Sequence, residues 1–310
     1  MIVVLCGGVG GSRFLRALAL AVPQERLTAI INTSDDEWFH GLYVSPDPDI
    51  VTYALAAEVD EERGWGLRGD TFRWLDAIAR FGHETWFRIG DRDLATHLHR
   101  TRLLREGWPV SRIIADLARA FGVRATLLPM SDDRVRTLVA TDAGELPFQE
   151  YLVKRHAADT VRGVRYEGTE DATPAPGVLE ALQSAEAILV APSNPIGSIA
   201  PILAVAGIRE AIASARVPRI AVSPVVAGRS LQPPAAEMMA GLGYAVSASS
   251  VGRIYAGLID TLVIDRLDAP VANDIAEHGV TPLIADTVMR DDASSRALAV
   301  AILDHAGLPH

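Results

Sequence analysis

The sequence predicts a doubly wound α/β fold with a mostly parallel sheet and an inserted cap of helices and hairpins. Two observations support this prediction. Short apolar strands alternate with helical stretches in both end regions of the chain, which is the order expected of a parallel sheet covered by helices on both faces. Polar turns follow several of these strands, as they do where such a sheet binds ligands at its carboxyl edge.

The opening segment has the pattern of a βαβ unit. A buried strand over residues 2–5 runs directly into a glycine cluster, and residues 12–22 carry apolar side chains at helical spacing. A second strand is predicted over residues 27–32. It ends in a polar run that contains Asp35 and Asp36.

Strand patterns return in the last part of the chain, with helical patterns between them. These strands are predicted at residues 187–191, 219–222 and 262–264. The middle differs: residues 60–120 are charged, rich in tryptophan and helical in period, and residues 125–168 are β-like. We therefore predict one domain. Its parts are an α/β core over about 1–58 and 178–310 and a cap over about 59–177 of residues 1–310.

The composition limits the class of ligand. The chain has 310 residues, with 29 Lys and Arg against 39 Asp and Glu, and a formal net charge of −10. No nucleic-acid partner is expected, because a phosphate backbone requires a cationic face. A small anionic ligand remains compatible with this charge, since backbone amides, arginine and metal can dominate locally.

Cysteine usage and hydropathy indicate the cellular compartment in which the protein is expected. The single cysteine, Cys6, excludes an internal disulfide and a zinc site built from cysteines. No tract approaches the roughly 20 apolar residues of a membrane span, so no membrane partner is expected. The apolar start reaches glycine after six residues, which is too short for a secretory signal. We expect a cytoplasmic protein.

The glycine turn contains Gly7, Gly8, Gly10 and Gly11. Successive backbone N–H groups beside a helix start can hold phosphate, so anion binding is favoured over a turn that only packs beneath the sheet. The turn is not a P-loop, because no Gly-Lys-Ser/Thr follows. It also lacks the GxGxxG pattern, because position 13 is arginine, which argues against an NAD(P)-linked dehydrogenase.

Four carboxylates follow the second strand. Asp35 and Asp36 end it, and Asp47 and Asp49 lie in the segment SPDPD, whose prolines are expected to keep it extended with both acids on one side. Carboxylates beside a phosphate-binding turn suggest Mg²⁺, a cation that takes oxygen ligands and bridges phosphates. A solvated acidic loop is the alternative, and the residues alone do not decide between the two.

The stretch that begins at Arg88 and continues to His97, His99 and Arg100 is dense in arginine and histidine. This density suggests a second surface that contacts anions. On a helix, residues two apart face different ways, so the two histidines cannot form one metal pair. For each histidine, a surface or core position is favoured over a catalytic role.

Ser193, Asn194 and Ser198 follow the strand at 187–191 and open a helix. They can cap that helix or bind the base and phosphate of a ligand, and capping accounts for only one of the three. Polar turns after apparently parallel strands meet at one edge of the sheet. The residues thus indicate a phosphorylated, nucleotide-like ligand with Mg²⁺ as the candidate cation.

Eight ordered segments together are distinctive of one protein family. They are GGVGGSRFL (7–15), NTSDDEWFHGLYVSPDPDIVTY (32–53), RGWGLRGDTF (63–72), RIGDRDLATHLHRT (88–101), LLPMSDDRV (127–135), FQEYLVKR (148–155), APSNPIGSIAPIL (191–203) and YAGLIDTLVID (255–265). On these segments the chain resembles the 2-phospho-L-lactate transferase family (CofD, called FbiA in actinobacteria) of coenzyme F420 biosynthesis.

The resemblance implies a transferase with a guanosine-diphosphate-linked donor. A phospho-acid group would pass to the deazaflavin Fo, GMP would leave, and coenzyme F420-0 or its analogue would form. The group would be 2-phospho-L-lactate or its phosphoenolpyruvate or phosphoglycerate equivalent. The resemblance also implies a Rossmann-like fold, a requirement for Mg²⁺ and a homodimer.

The resemblance assigns residues by position. The nucleotide side matches Gly7, Gly8, Gly10, Gly11, Ser193 and Asn194. Asp49 and Arg88 match positions for Fo binding and catalysis, and metal binding falls to Asp49 with help from Asp35, Asp36 or Asp47; the general base stays open. The loop 228–234 departs from relatives, which typically carry Lys and a Gly-Pro pair there. If this loop contacts the acid of the donor, the donor preference of this protein can differ from the lactate case.

The alternative function is that of a YvcK-like nucleotide-sugar-binding regulator without transferase activity. The segments SPDPD, RIGDRD and FQEY belong with the transferases. Binding of Fo would separate the two functions.

Overall fold

The computed structural model describes residues 1–310 and contains fourteen strands. The strands are β1 (Ile2–Cys6), β2 (Leu27–Ile31), β3 (Glu37–Phe39), β4 (Leu42–Val44), β5 (Thr126–Pro129), β6 (Arg136–Thr141), β7 (Gly144–Pro147), β8 (Val161–Glu167), β9 (Ala187–Val190), β10 (Arg219–Val222), β11 (Val225–Val226), β12 (Arg229–Ser230), β13 (Thr261–Asp265) and β14 (Thr281–Ala285). The predicted α/β class is confirmed.

Twelve α-helices cover the strands. They are α1 (Gly8–Ala19), α2 (Pro46–Leu55), α3 (Arg73–Ile78), α4 (Asp93–Arg105), α5 (Val110–Ala120), α6 (Val178–Gln183), α7 (Ala200–Ala204), α8 (Ile208–Ser214), α9 (Ala235–Gly241), α10 (Ala248–Ile254), α11 (Ala272–Glu277) and α12 (Asp292–His305). Short 3₁₀ turns occur at Gln24–Arg26, Ala79–Phe81 and Arg266–Val271, and π-helical turns at Glu150–Lys154 and Pro195–Ile199.

Seven parallel strands form the central sheet in the order β14-β13-β10-β9-β1-β2-β5. The chain builds outward from β1 through β2 to β5, and then returns to β9 on the other side of β1. Strand order therefore reverses between β1 and β9. In open parallel sheets, the crevice at the carboxyl ends of such a strand pair is where ligands bind.

Side chains on successive residues of β1 point to opposite faces of the sheet, and both faces are buried. Val3 and Leu5 belong to one apolar cluster, whereas Ile2, Val4 and Cys6 belong to the other. This two-sided burial explains why β1 is an uninterrupted apolar run instead of an alternating one.

Two of the predicted elements differ from the structure. The segment SPDPD is not extended, because it forms the start of α2. Ser45 is the N-cap of this helix, and Pro46 and Pro48 lie in its first turn. Proline suits this turn because its fixed φ is helical and the N–H that it lacks would have no partner within the helix. Asp47 and Asp49 therefore face different directions. In addition, β5 lies within the predicted cap but pairs with β2, because its apolar residues complete the core sheet.

The remaining cap has the predicted helices and hairpins. The strands β7, β6 and β8 form a separate antiparallel sheet, with a tight turn between β6 and β7. The strands β3 and β4 form a hairpin. No single helix has the length and apolar character to cross a membrane; one bent pair, Pro195–Ala204 with Ile208–Ser214, passes on length and composition alone.

Candidate active site

A cavity of about 530 Å³ opens at the carboxyl edge of the sheet, beside the point where strand order reverses. Four regions that are distant in sequence contribute to its wall: Gly10, Asp49, Arg88 and Asn194 all line it. These four regions therefore share one pocket. Gly7, Gly8, Asp35, Asp47 and Ser193 also line the cavity, whereas Gly11 and Asp36 do not.

The glycine turn is shaped by close packing as well as by backbone conformation. A side chain at Gly10 would collide with the carbonyl oxygen of Pro192, and one at Gly11 with the Ser193 hydroxyl. Gly8 instead has a φ of +65° in open space, a conformation that glycine adopts without strain. Close packing thus explains why positions 10 and 11 are glycine, and backbone conformation explains why position 8 is.

Two N–H groups of this turn already have protein partners. The Gly7 N–H donates to Ser193 Oγ at 3.1 Å, and the Gly8 N–H donates to Asp47 Oδ1 at 2.8 Å. The next two amides, of Val9 and Gly10, lie in the first turn of α1, where a helix provides no partner. An anion at this turn would therefore be held by the N–H groups of Val9 and Gly10. Gly7 and Gly8, which were also predicted to bind phosphate, have no free N–H group for it.

Ser193 and Asn194 have structural contacts in addition to their position on the cavity. Ser193 Oγ donates to the Gly7 carbonyl oxygen at 2.8 Å, which ties the end of β9 to the glycine turn. The Asn194 side chain accepts the N–H groups of Ile196 and Gly197 at 3.0 and 3.1 Å, so it caps the π-helical turn that follows. Such turns are frequent at functional sites.

The carboxylates nearest the glycine turn are buried and repel one another. Asp47 Oδ2 accepts from Asn32 at 2.9 Å, and burial raises the pKa of Asp47 to about 6. Burial, followed by the charges of Asp47 and Asp36, raises the pKa of Asp35 well above its ordinary value. A bound cation would relieve this repulsion.

Asp36 lies away from the cavity wall. Its Oδ2 accepts a hydrogen bond from the Ser45 hydroxyl, its Oδ1 has no partner, and burial raises its pKa to about 8. Because the folded protein holds this proton more tightly than the unfolded chain, the contribution of Asp36 to stability should be lost as pH rises from about 4 to about 8.

Asp36→Asn should therefore flatten the dependence of stability on pH between pH 5 and pH 8. The aspartate can contribute a slope of up to about 1.4 kcal/mol per pH unit, and the asparagine none. Denaturant unfolding of both proteins at pH 5 and pH 8 measures this difference. Equal pH dependence in the two proteins would contradict it.

Asp49 contacts a fully buried arginine. Arg100, which is 1% exposed, donates to Asp49 Oδ1 through Nη2, whereas the buried Oδ2 of Asp49 has no hydrogen-bond partner. Burial raises the pKa of Asp49, although Arg100 and His97 oppose the shift. The result is a carboxylate on the cavity wall that is anchored by one oxygen. Its other oxygen accepts no hydrogen bond and lies 3.7 Å from Nδ1 of His97.

His97 connects this pair to a further acid. Nη1 of Arg100 lies 3.1 Å from Nδ1 of His97, and a guanidinium can only donate. In the neutral ring, the proton is therefore on Nε2, which lies 3.1 Å from Asp93 Oδ2. Asp93 Oδ1 accepts from Tyr53 at 2.6 Å. Burial would raise the pKa of Asp93, but His97 and Tyr53 outweigh it and lower the pKa.

Sequence reasoning missed Asp93 as a member of the site and understated His97 and Arg100. The three residues are spaced i, i+4 and i+7, which places them on one face of α4, and this spacing could have revealed them. The expectation that His97 and His99 face apart is correct, since His99 Nε2 instead lies 2.9 Å from Asp116.

Arg88 lines the cavity on a more apolar side. Its guanidinium lies 4.1 Å from the centre of the Phe72 ring and has no carboxylate partner, so its charge is available to a ligand. Trp65, Trp86 and Phe148 line the same cavity. The wall therefore offers carboxylates and backbone amides beside a cation and aromatic rings.

These residues fit Mg²⁺ only in part. No three of the acidic or histidine side chains are grouped as a ready-made metal site. Mg²⁺, however, usually takes one or two carboxylates and completes its shell with water and substrate phosphates. The mutual repulsion of Asp35 and Asp47 and the free Oδ2 of Asp49 match such a partial set.

Comparisons with known proteins show the family to which the chain belongs. A family model described as 2-phospho-L-lactate transferase CofD matches residues 2–303. A phosphoenolpyruvate transferase of Streptomyces griseus is 43% identical, covering 98% of this chain and 98% of the relative. A 2-phospho-L-lactate transferase of Methanococcoides burtonii is 35% identical, covering 97% and 98%.

Among solved structures, a protein of the UPF0052 family from Bacillus halodurans is similar, with a TM-score of 0.64. It is 20% identical, and the match covers 97% of this chain and 98% of that chain. At this identity the likeness concerns the fold alone.

Proposed function

The chain belongs to the CofD family of 2-phospho-L-lactate transferases and is a phospho-acid transferase, and from this premise we propose its donor, acceptor and product. The donor is a guanosine diphosphate linked to a small acid through phosphorus, and the acceptor is the deazaflavin Fo. Transfer releases GMP and forms coenzyme F420-0 or its analogue. The family resemblance also supports a homodimer.

One observation supports the proposal: a single cavity is lined by the glycine turn, buried carboxylates, an arginine without a carboxylate partner and aromatic rings. A nucleoside diphosphate and a flat ring system that bears a hydroxyl need these four elements together. Neither substrate alone would need all of them. The relatives matched by sequence are named as transferases, so we favour transfer over the alternative function of a nucleotide-sugar-binding regulator.

The reaction is an in-line displacement at phosphorus. The ribityl hydroxyl of Fo attacks the phosphorus that carries the acid, the bond to the GMP oxygen breaks, and GMP leaves with the electron pair. The enzyme must align the two substrates and neutralise the phosphoryl oxygens. The amides of Val9 and Gly10 hold the phosphate on the GMP side, and Arg88 places positive charge near the reacting groups.

Mg²⁺, when bound, would supply further positive charge to the diphosphate. One or two of the carboxylates of Asp35, Asp47 and Asp49 would hold it, because no three acidic side chains are grouped closely enough to share one ion. The hydroxyl proton needs an acceptor, and Oδ2 of Asp49 is a buried carboxylate oxygen without a partner. Ligation of metal and acceptance of the proton are competing roles for this one atom, since a metal ligand is a poor base.

The acid of the donor is proposed to be enolpyruvate. The relatives named phosphoenolpyruvate transferases are 38–43% identical to this chain, and those named 2-phospho-L-lactate transferases are 35–37% identical. Gln232, Pro233 and Pro234 of the divergent loop line the cavity, where they can contact the acid.

A competition assay tests the proposal. The purified protein is given Fo with the lactyl, enolpyruvyl and glyceryl guanosine diphosphate donors, with and without Mg²⁺, and the products are identified by mass. We expect a product that contains Fo only with Mg²⁺, and the largest yield from the enolpyruvyl donor. Absence of product with all three donors would contradict the transferase assignment to Fo. A preference for another donor would contradict only the choice of acid.

A further inference from the structure

The backbone is strained at one point of the cavity wall. Five residues other than glycine have a positive φ, and only His156 and Ala157 are consecutive, with φ values of 54° and 51°. L-residues disfavour this left-handed region, and consecutive cases persist only where the surroundings enforce them. Such strain is often found where a side chain is held for function.

The surroundings of Ala157 enforce the conformation. Its N–H donates to the carbonyl oxygen of the fully buried Tyr151 at 2.9 Å, and its side chain packs against the larger apolar cluster. Arg155 is held by an ion pair with Asp159. The segment follows the π-helical turn Glu150–Lys154, so the chain is fixed on both sides of His156.

His156 is thereby left on the cavity side. It is exposed and lines the cavity together with Phe148 and Leu152, residues of the same segment, whereas Ala157 does not line it. The strain therefore has two separable consequences. Ala157 packs against the apolar cluster, and His156 lines the cavity.

The charge of the wall gives this imidazole a function. Four carboxylates line the cavity, at Asp35, Asp47, Asp49 and Asp93. A diphosphate-linked acid is itself an anion and needs donors to offset these charges. The basic side chains of the wall are Arg88, His97 and His156, and His97 is already held between Arg100 and Asp93. Arg88 and His156 are thus the wall's basic groups without a carboxylate partner.

We propose that His156 is a donor-binding residue whose imidazole N–H donates to an anionic oxygen of the guanosine-diphosphate-linked donor. This inference rests on the proposed function. The oxygen belongs either to the diphosphate or to the carboxylate of the transferred acid. An imidazole carries an N–H in both of its protonation states, so the contact does not depend on a charge change.

Calorimetric titration with GDP and with the intact enolpyruvyl donor, in the absence of Fo, tests the proposal in three variants. His156→Gly removes the imidazole and relieves the strain. Ala157→Gly relieves strain at the neighbouring position and leaves the imidazole in place. His156→Gln restores an N–H donor at that position. Both glycine variants should have a Tm equal to that of the wild type or up to about 4 °C higher.

We expect His156→Gly to weaken donor binding by about 10- to 100-fold, with Ala157→Gly unchanged and His156→Gln in between. Weaker GDP binding as well would assign the contact to the diphosphate; unchanged GDP binding would assign it to the acid. Equal donor affinity in both glycine variants would overturn the proposal. Tight donor binding without transfer to Fo would contradict the proposed function and leave the role of His156 standing.

Discussion

Asp49→Asn is expected to lower turnover by at least about 100-fold, the size associated with loss of charge stabilisation or of a proton acceptor. The substitution keeps the shape of the side chain and replaces the unpartnered Oδ2 by an amide or leaves it as a neutral oxygen. Neither product can ligate metal as a carboxylate does or accept a proton. Affinity for GDP should change little, because that ligand is placed at Val9 and Gly10.

Asp93→Asn is the matched control for this variant. Asp93 also lines the cavity and belongs to the same buried network, but both of its oxygens have contacts within the protein, from Tyr53 and His97. Single-turnover kinetics with saturating donor should therefore show a smaller loss than for Asp49→Asn. An equal loss of activity in the two variants would show that the unpartnered oxygen of Asp49 is not the cause of the loss.

Arg100→Met is expected to lower the free energy of unfolding by about 3–5 kcal/mol, the usual cost of removing one partner from a buried ion pair. Arg100 is 1% exposed, and its removal leaves the Asp49 carboxylate, itself 6% exposed, without its counter-charge. It also removes the donor to His97 Nδ1. Equilibrium denaturation in urea measures the change.

Two further variants make this measurement specific. Arg102→Met removes an arginine from the same helix whose side chain is 65% exposed, and should change stability by no more than about 0.5 kcal/mol. Replacing both partners, with Arg100→Met and Asp49→Leu together, should cost less stability than Arg100→Met alone, because no unpaired charge stays buried. A double variant at least as unstable as the single one would show that the ion pair is not the cause.

The parts of the site that follow strands were predictable because strand ends have a fixed place in a parallel sheet. Gly7 comes directly after β1 and Ser193 comes shortly after β9, and parallel strands end at one edge of the sheet. The apolar strand pattern alone therefore predicts that Gly7 and Ser193 lie close together. The order of the strands did not, since the pairing of β5 with β2 depends on contacts between residues about 100 positions apart.

The errors in the acidic segment have a different origin. Proline has a φ that suits both an extended segment and the first turn of a helix, so SPDPD is ambiguous until the apolar residues after it are seen to pack as α2. Arg100 was underestimated because buried arginine is rare, and charged residues on a helix usually face solvent. Only the contact with Asp49, 51 residues away, shows its position.

The adjacency of β1 and β9 has a consequence for synthesis on the ribosome. Gly7 and Ser193 are hydrogen-bonded although 186 positions separate them, so β1 emerges early and gains its second neighbour only after more than half of the chain has been made. Until then, the nascent chain carries an apolar strand with one bare edge, which is open to mispairing with other chains. Cellular yield of this protein should thus depend on what shields that edge during translation.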